Sequence, residues 1–283
     1  MLSEKHRPVQ LSELVGRDSI VAELQAKIKS PDGIPHLMFY GAPGTGKTCV
    51  AHCIASEIYG KDKNQNFFEF NASNDRGIDF IRDSIIDIAK RRPLNHPYKI
   101  IFLDEADMIT AEAQACLRRP FETCSQITRF IFACNYPYKL IEAIRSRFVK
   151  YEFGPLDIKT IANRLKKIAI IEKLPERPDM EYVTIAKKSK GDLRDAIGML
   201  DGNTKTVDLE ISKMTLADIK GKGSEDRIKL VLAGDPDIIF DLLWDKIKAE
   251  KAWHLMDLIA ECKYHMNYGN LKEVPLCKFI LKV

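Results

Sequence analysis

Short apolar runs alternate with longer stretches of helical spacing over roughly the first 150 residues. The apolar runs are typical of buried strands and cover residues 37–41, 67–71, 99–103, 129–135 and 149–153. Stretches with helical spacing lie before or between them, at 18–30, 47–59 and 79–91. This alternation predicts a mostly parallel sheet flanked by helices, and hence an α/β domain.

The pattern becomes wholly helical after Gly154 and Pro155. Asp157 is expected to cap the first helix of this part. The predicted helices cover 157–173, 180–189, 192–200, 225–233, 236–250 and 252–266. A breaker-rich stretch at 220–224 predicts a flexible linker. We therefore expect three domains, namely the α/β domain at 1–154, a small helical domain at 155–219 and a third helical domain at 220–283.

Composition changes this picture little. The formal net charge of +4, with 45% hydrophobic and 30% charged residues, permits contact with nucleic acid without requiring it. No apolar run approaches the roughly 18 residues of a membrane helix, and the first residues lack the apolar stretch of a secretion signal. The seven cysteines are scattered and fit reduced core positions. We expect an intracellular protein without a membrane partner, cytoplasmic or nuclear depending on its host.

One segment matches the full G-x-x-x-x-G-K-[ST] pattern of a phosphate-binding loop. It lies after an apolar strand and before a helix, where backbone N–H groups and the helix N-terminus can both face phosphate oxygens. Lys47 would contribute a positive charge to the β- and γ-phosphates of ATP, and Thr48 a hydroxyl to Mg²⁺. The candidate nucleotide-binding residues here are Gly41, Ala42, Pro43, Gly44, Thr45, Gly46, Lys47, Thr48 and Cys49.

Another apolar run ends in two acids, Asp104 and Glu105. Asp104 would hold the Mg²⁺ shell with Thr48, and Glu105 would orient and polarise the attacking water, because phosphoryl transfer depends mainly on positioning and charge stabilisation. Alone, such a pair is most often a turn or a helix N-cap, but beside the phosphate-binding loop the catalytic interpretation is the stronger one. Asp107 stays open, since an acid in a first helical turn can simply interact with the helix dipole.

Further motifs resemble those of the small subunits of replication factor C and related clamp loaders, which are AAA+ proteins. They occur in the family's order between about residues 4 and 200. The matching segments are Glu4–Pro8, Leu14–Gly16, Asn71–Asp79, Asp104–Asp107, Ala113–Gln114, Leu117–Arg119, Cys134–Tyr136, Ser146–Arg147 and Gly191–Asp195. The resemblance implies an AAA+ P-loop domain, a small helical lid domain and a C-terminal helical collar-type domain.

The resemblance also implies roles for single residues. Val15 and Gly16 would lie near the adenine, and Asn135 would help to align the attacking water as sensor 1. Arg194 would be sensor 2 and reach the γ-phosphate bound by its own subunit. Arg147 would be an arginine finger in a neighbouring subunit's ATP site, a task that suits a permanently charged, forked guanidinium.

Four features depart from the family pattern. His6 occupies a position that is usually aromatic, and Phe148 one that is usually cysteine. Pro120 lies inside the helix that begins near Ala111 and is expected to kink it and end its hydrogen bonds early. The C-terminal helical region is short for the family's collar.

The family's architecture implies partners as well: other clamp loader subunits in a pentameric hetero-oligomer, a sliding clamp, and primer–template DNA. Phosphate contacts that ignore base sequence would suit a protein acting at any primer junction. The candidate DNA-binding residues are Arg82, Lys90, Arg91, Arg118 and Arg119. A solvated charged face explains each of them equally well, and the helix ends around 86–93 could instead contact the clamp.

We therefore expect an ATPase that opens a sliding clamp and loads it onto primed DNA. Two other classes stay open. Another AAA+ DNA-processing ATPase, such as a branch-migration or fork-maintenance motor, would not be expected to carry the 71–79 and 117–119 segments. A nucleotide-binding scaffold subunit commonly lacks residues of the Lys47, Glu105 or Arg147 type, and all three are present.

Overall fold

The computed structural model describes residues 1–73, 79, 81–201, 215–232, 236–268 and 272–282. The chain divides into two compact units. The first comprises Met1–Thr160 with Gly191–Asp195, and the second comprises Ile161–Lys190 with Ala196–Val283. The finer division into three domains stays a prediction.

The first unit contains a five-stranded sheet in which every pair of neighbouring strands is parallel. The strands are β1 (Leu37–Tyr40), β2 (Phe67–Asn71), β3 (Lys99–Asp104), β4 (Thr128–Cys134) and β5 (Val149–Glu152), in the order β2-β3-β4-β1-β5. The prediction of these strands is confirmed, with ends displaced by no more than one residue. Tyr40 pairs with Cys134, and Leu103 with Phe132, so β1, β3 and β4 end at the same edge.

Both faces of the sheet are buried, which explains the nearly continuous apolar runs of its central strands. In β3, Ile101 packs into the core cluster on one face, while Ile100 and Phe102 pack into the cluster on the other. Helices cover each face. Those of this unit are α1 (Leu2–Lys5), α2 (Asp18–Lys29), α3 (Lys47–Tyr59), α4 (Lys63–Asn66), α5 (Asp87–Lys90), α6 (Ala111–Thr123) and α7 (Glu142–Arg145).

The helix predicted over 79–91 is divided. A π-helix at Ile81–Ile86 precedes α5, so the two segments have different hydrogen-bond spacings. Short 3-10 turns occur at Leu11–Glu13, Gly60–Asp62, Ala106–Met108 and Pro137–Lys139.

The expected early end of the helix at Pro120 is wrong. Helix α6 continues to Thr123, and the N–H of Cys124 still donates to the carbonyl of Pro120 at 3.0 Å. Proline removes only its own N–H donor, so the residues after it can continue the pattern. Pro120 and Phe121 are both buried, which ties this last turn to the core.

The rest of the described chain is helical, as predicted. Its helices are α8 (Ile158–Ile171), α9 (Asp179–Lys188), α10 (Leu193–Asp201), α11 (Leu216–Gly221), α12 (Ser224–Leu232), α13 (Pro236–Ala249), α14 (Met256–Tyr268) and α15 (Glu273–Lys282), with a 3-10 turn at Trp253–Leu255. Asp157 caps α8, since its Oδ1 accepts the N–H of Thr160 at 2.8 Å. None of the helices within the described residues is long and apolar enough to span a membrane.

The prediction of a flexible linker over residues 220–224 is wrong in the length of the linker. Helix α11 ends at Gly221 and α12 begins at Ser224, so only Lys222 and Gly223 lie between them. The side chains of Thr215 and Asp218 form a capping box that stabilises α11 despite the glycine at its end.

Candidate nucleotide-binding site

Residues 41–46 connect β1 to α3, which begins at Lys47. Gly44 has a φ of +68° and Gly46 a φ of +100°, a left-handed conformation that glycine adopts without steric cost. A Cβ atom on Gly44 would lie 1.9 Å from Oδ1 of Asp192, so a larger residue would displace that carboxylate. The loop therefore needs glycine for its backbone shape and for the close approach of Asp192.

Lys47 lies at the centre of the site and is only 8% exposed. Its Nζ donates to the carbonyls of Gly41 and Ala42 at 2.7 and 2.8 Å. A third bond, of 3.0 Å, goes to Oδ1 of Asn135 at the end of β4. Burial lowers the pKa of Lys47, and the nearby Asp104 carboxylate opposes this effect. The contacts bring together the predicted phosphate-binding lysine and the predicted sensor 1.

Thr48 and Asp104 are also brought together. The hydroxyl of Thr48 donates to Oδ2 of Asp104 at 2.7 Å, and Oδ1 of Asp104 accepts the N–H of Glu105 at 2.9 Å. Hydroxyl and carboxylate oxygens are the kind of ligand that Mg²⁺ prefers. The donor set therefore fits a magnesium ion beside the phosphate-binding loop.

Glu105 has a left-handed backbone, with φ +53° and ψ +37°. This conformation is uncommon outside glycine and costs on the order of 1–3 kcal/mol. Such local strain concentrates at functional sites because the surrounding structure must hold it. The side chain of Glu105 is half-buried, so water can reach the proposed catalytic carboxylate.

Asp107 makes contacts that the sequence does not indicate. It lies in the 3-10 turn Ala106–Met108 and is 6% exposed. Its Oδ1 accepts the N–H of Asn135 at 3.2 Å, and its Oδ2 accepts the N–H of Tyr136 at 3.3 Å. The carboxylate thus holds the main chain after β4. The observed partners of Asp107 are these main-chain N–H groups, and not the helix dipole considered from the sequence.

Arg17 is a residue that sequence reasoning did not single out. It follows the predicted adenine-side residues Val15, which is half-buried, and Gly16, which is exposed. Its Nη2 donates to the carbonyl of Gly154 and, more weakly at 3.5 Å, to that of Thr45. Desolvation lowers the pKa of Arg17. Arg17 therefore links the N-terminal segment to the phosphate-binding loop. Cys49, another candidate nucleotide-binding residue, lies in the helix that follows this loop and is half-buried.

The two predicted arginines lie in different surroundings. Arg194 is exposed, and its charge helps to lower the pKa of Lys47. Arg147 follows α7, where its Nη1 donates to the carbonyl of Ala143 at 2.7 Å and its other nitrogen pairs with Glu122. The proposed action of Arg147 on a neighbouring subunit stays a prediction.

The candidate DNA-binding residues Arg82, Lys90, Arg91, Arg118 and Arg119 are all exposed. Arg91, which directly follows α5, forms an ion pair with Asp87 at the start of that helix. Exposure fits DNA contact and a solvated surface equally well, so this assignment stays a prediction. Residues 74–78 of the 71–79 segment lie outside the described residues.

Known structures share this fold. The Holliday junction branch migration motor RuvB of Thermotoga maritima superimposes with a TM-score of 0.57 over 86% of this chain and 72% of its own, at 20% sequence identity. At an identity this low, the structural similarity shows a shared fold and leaves the function open.

Sequence comparison is more specific. The family model described as "ATPase family associated with various cellular activities (AAA)" matches residues 37–156. The replication factor C small subunit of Methanococcus vannielii is 35% identical, over 99% of this chain and 97% of the relative. Those of Picrophilus torridus and Thermoplasma volcanium are 42% and 40% identical, over 82% and 91% of this chain and 72% and 81% of the relatives. The chain is therefore a member of the replication factor C small-subunit family, within the nucleotide-binding AAA ATPases.

Proposed function

We propose that this chain is an ATP-hydrolysing subunit of a clamp loader, which opens a sliding clamp and loads it onto primed DNA. The observation that carries the proposal is the contact between Lys47 and Asn135, formed beside the contact between Thr48 and Asp104. These contacts join the ends of three parallel strands, where nucleotides bind in α/β folds. The similarity to replication factor C small subunits supports the loader as the assembly.

The residues fit the parts of a phosphoryl-transfer site. The N-terminal turn of α3 and the ammonium of Lys47 would bind the phosphates, while Thr48 and Asp104 would provide oxygen ligands to Mg²⁺. When bound, Mg²⁺ neutralises part of the charge that develops on the phosphate oxygens.

The remaining groups would position water. Glu105 would orient and polarise the attacking molecule, and the amide of Asn135 would align it. The main chain of Glu105 is fixed by its own bond to Asp104, so the metal-binding and water-orienting carboxylates share one turn. Most of the catalysis would come from this positioning and from charge stabilisation.

Assembly would complete the site. Arg194 would contact the γ-phosphate bound by its own subunit, and Arg147 would enter the site of a neighbour in a pentameric hetero-oligomer. The exposed basic residues Arg82, Lys90, Arg91, Arg118 and Arg119 are proposed to contact DNA phosphates, which predicts binding that weakens as salt is added.

ATP turnover of the chain assembled with its co-purifying subunits tests the proposal. Turnover is measured without additions, with clamp, with primed DNA, and with both; we expect strong stimulation only with both. Unprimed DNA of equal length is the matched control. An absence of stimulation by clamp and primed DNA together contradicts the loader, and strand exchange or separation coupled to turnover would favour a motor.

A further inference from the structure

Asp107 is a buried carboxylate whose two oxygens are both used by one short segment. Oδ1 accepts the N–H of Asn135 and Oδ2 that of Tyr136, two consecutive main-chain donors. A buried charge is costly unless it is compensated, and hydrogen bonds to an ionised acceptor are stronger than neutral ones. The arrangement therefore fixes the main chain immediately after β4.

The segment that Asp107 holds carries the amide that reaches the phosphate-binding loop. Oδ1 of Asn135 accepts from Nζ of Lys47 at 3.0 Å, and Lys47 in turn donates to the carbonyls of Gly41 and Ala42. A continuous series of hydrogen bonds thus runs from Asp107 through Asn135 to the loop. Since the 3-10 turn of Asp107 follows Glu105 directly, the turn after β3 and the turn after β4 are locked together.

A role of Asp107 confined to its own turn does not explain its hydrogen bonds to the main chain after β4. That turn is closed by a main-chain bond from the N–H of Met108 to the carbonyl of Glu105, at 2.8 Å. Both carboxylate oxygens of Asp107 contact a different strand end instead. The exposed acid Glu112, in the first turn of α6, illustrates the alternative of an acid that interacts with a helix terminus.

We infer that Asp107 is a positioning residue for ATP hydrolysis, which sets the placement of Asn135 relative to Glu105 and Lys47. This inference rests on the proposed function and deepens it, because it concerns the same site. An asparagine at 107 has the same shape but turns one acceptor into an NH₂ donor that would face a main-chain N–H. We expect the held segment to loosen and the amide of Asn135 to lose its fixed position.

The test compares Asp107→Asn with Glu112→Gln, the matched neutralisation of an exposed acid. In Asp107→Asn, kcat should fall by ~10²-fold with KM nearly unchanged, as misplacement by about 1 Å can cost that much. Glu112→Gln should retain the normal kcat. If Asp107 acts through Asn135, Asp107→Asn combined with Asn135→Ala should be no slower than Asn135→Ala alone.

Hydrogen exchange supplies a readout that needs no nucleotide. The amides of Asn135 and Tyr136 should lose protection in Asp107→Asn and keep it in Glu112→Gln. Lost protection with an unchanged kcat, or losses of kcat that add in the double variant, would overturn the inference and leave the proposed function standing. A chain that shows no turnover in its assembled, unmutated form would instead contradict the proposed function. Should Asp107→Asn not fold, Asp107→Glu, which keeps the charge, serves in the same comparisons with a smaller expected loss.

Discussion

The two edges of the central sheet place very different groups at opposite ends of the same strands. At the carboxyl edge, polar and charged side chains meet, including the buried Lys47 and Asp107. At the amino edge, His36 precedes β1 and packs against Phe121, Phe130 and Phe148, with ring centroids 5.4–5.7 Å apart. The carboxyl edge holds the candidate catalytic charges, and the amino edge holds an aromatic cluster, with one buried lysine, Lys99, at the start of β3.

At the amino edge, both ring nitrogens of His36 have hydrogen-bond partners. Nδ1 of His36 accepts the N–H of Phe130 at 3.1 Å, and Nε2 lies 3.3 Å from the carbonyl of Phe121. Phe148, which departs from the family pattern, is 5% exposed and lies 4.7 Å from Phe132 between ring centroids. The phenylalanine at this position therefore has a packing role in the aromatic cluster.

The comparison indicates how stability and chemistry are divided. Buried charge and the left-handed backbone of Glu105 cost folding free energy at the carboxyl edge. Tightly packed rings contribute favourable burial at the amino edge. Changes in the aromatic cluster of the amino edge should thus affect folding, and changes at the carboxyl edge should affect turnover. Arg147, which precedes β5 and is proposed to act in a neighbouring subunit's site, is a separate case.

The largest expected effect is that of Phe121→Ala. Phe121 is 2% exposed and its ring lies within 6.0 Å of four other rings, so its removal leaves a cavity in the aromatic cluster. The free energy of unfolding, measured by urea titration, should fall by about 3–5 kcal/mol. Phe121→Leu, which keeps most of the volume, should lose less. Turnover per folded molecule should not change; a specific loss of turnover would break the division between the two edges.

Lys47→Ala should have the converse effect. Removal of a preorganised positive donor is expected to reduce ATP turnover by ~10²–10³-fold or more. The free energy of unfolding should change by less than about 1 kcal/mol, because the exposed Ala42 can be hydrated and the desolvation cost of the ammonium disappears. Lys61→Ala removes an exposed lysine and is the control. Retained turnover in Lys47→Ala would contradict the assignment of the site.

Local patterns were sufficient to predict the sheet and the phosphate-binding loop. Each strand is an apolar run with clear ends, and the helix predicted at 47–59 coincides with the observed Lys47–Tyr59. Local signals failed where tertiary packing decides. Burial of Phe121 keeps the turn after Pro120 helical, and burial of Ile219 in a hydrophobic core cluster holds the last turn of α11, which lies in the expected linker.

The long-range parts of the site were not predictable from one sequence. The bond between Asp107 and Asn135 spans 28 residues and depends on two strand ends meeting at one edge. The contact from Arg17 to the carbonyl of Gly154 spans 137 residues and involves a main-chain acceptor, which has no residue-type signature. By contrast, the phosphate-binding loop and the acidic strand end mark Lys47, Thr48 and Asp104, the family resemblance marks Asn135, and the structure brings these four residues together.

The smallest expected effect, and the one that sharpens the comparison most, is acid sensitivity at the amino edge. Desolvation lowers the pKa of His36 to about 4, and the positive charge of Arg129 adds to this effect, while the bond to the Phe121 carbonyl opposes it. In the unfolded chain the pKa of histidine is about 6.5. Between these values the unfolded state binds the proton and the folded state does not, so stability is fully present above pH 6.5 and is lost as the pH falls towards 4. The loss attributable to His36 should reach at most about 3 kcal/mol, less where solvent reaches the ring.

Urea titrations at several pH values from 7 to 4 measure this loss, with His36→Gln as the control. Glutamine can accept the N–H of Phe130 and donate to the Phe121 carbonyl but does not titrate in this range. The variant should be less stable at pH 7, since the ring packing is lost, yet its stability should fall less steeply with acid. Because the other five histidines and all carboxylates are common to both proteins, the difference between the two slopes belongs to His36. Equal slopes would mean that the aromatic cluster admits the imidazolium ion, and the amino edge would then be less apolar than its packing indicates.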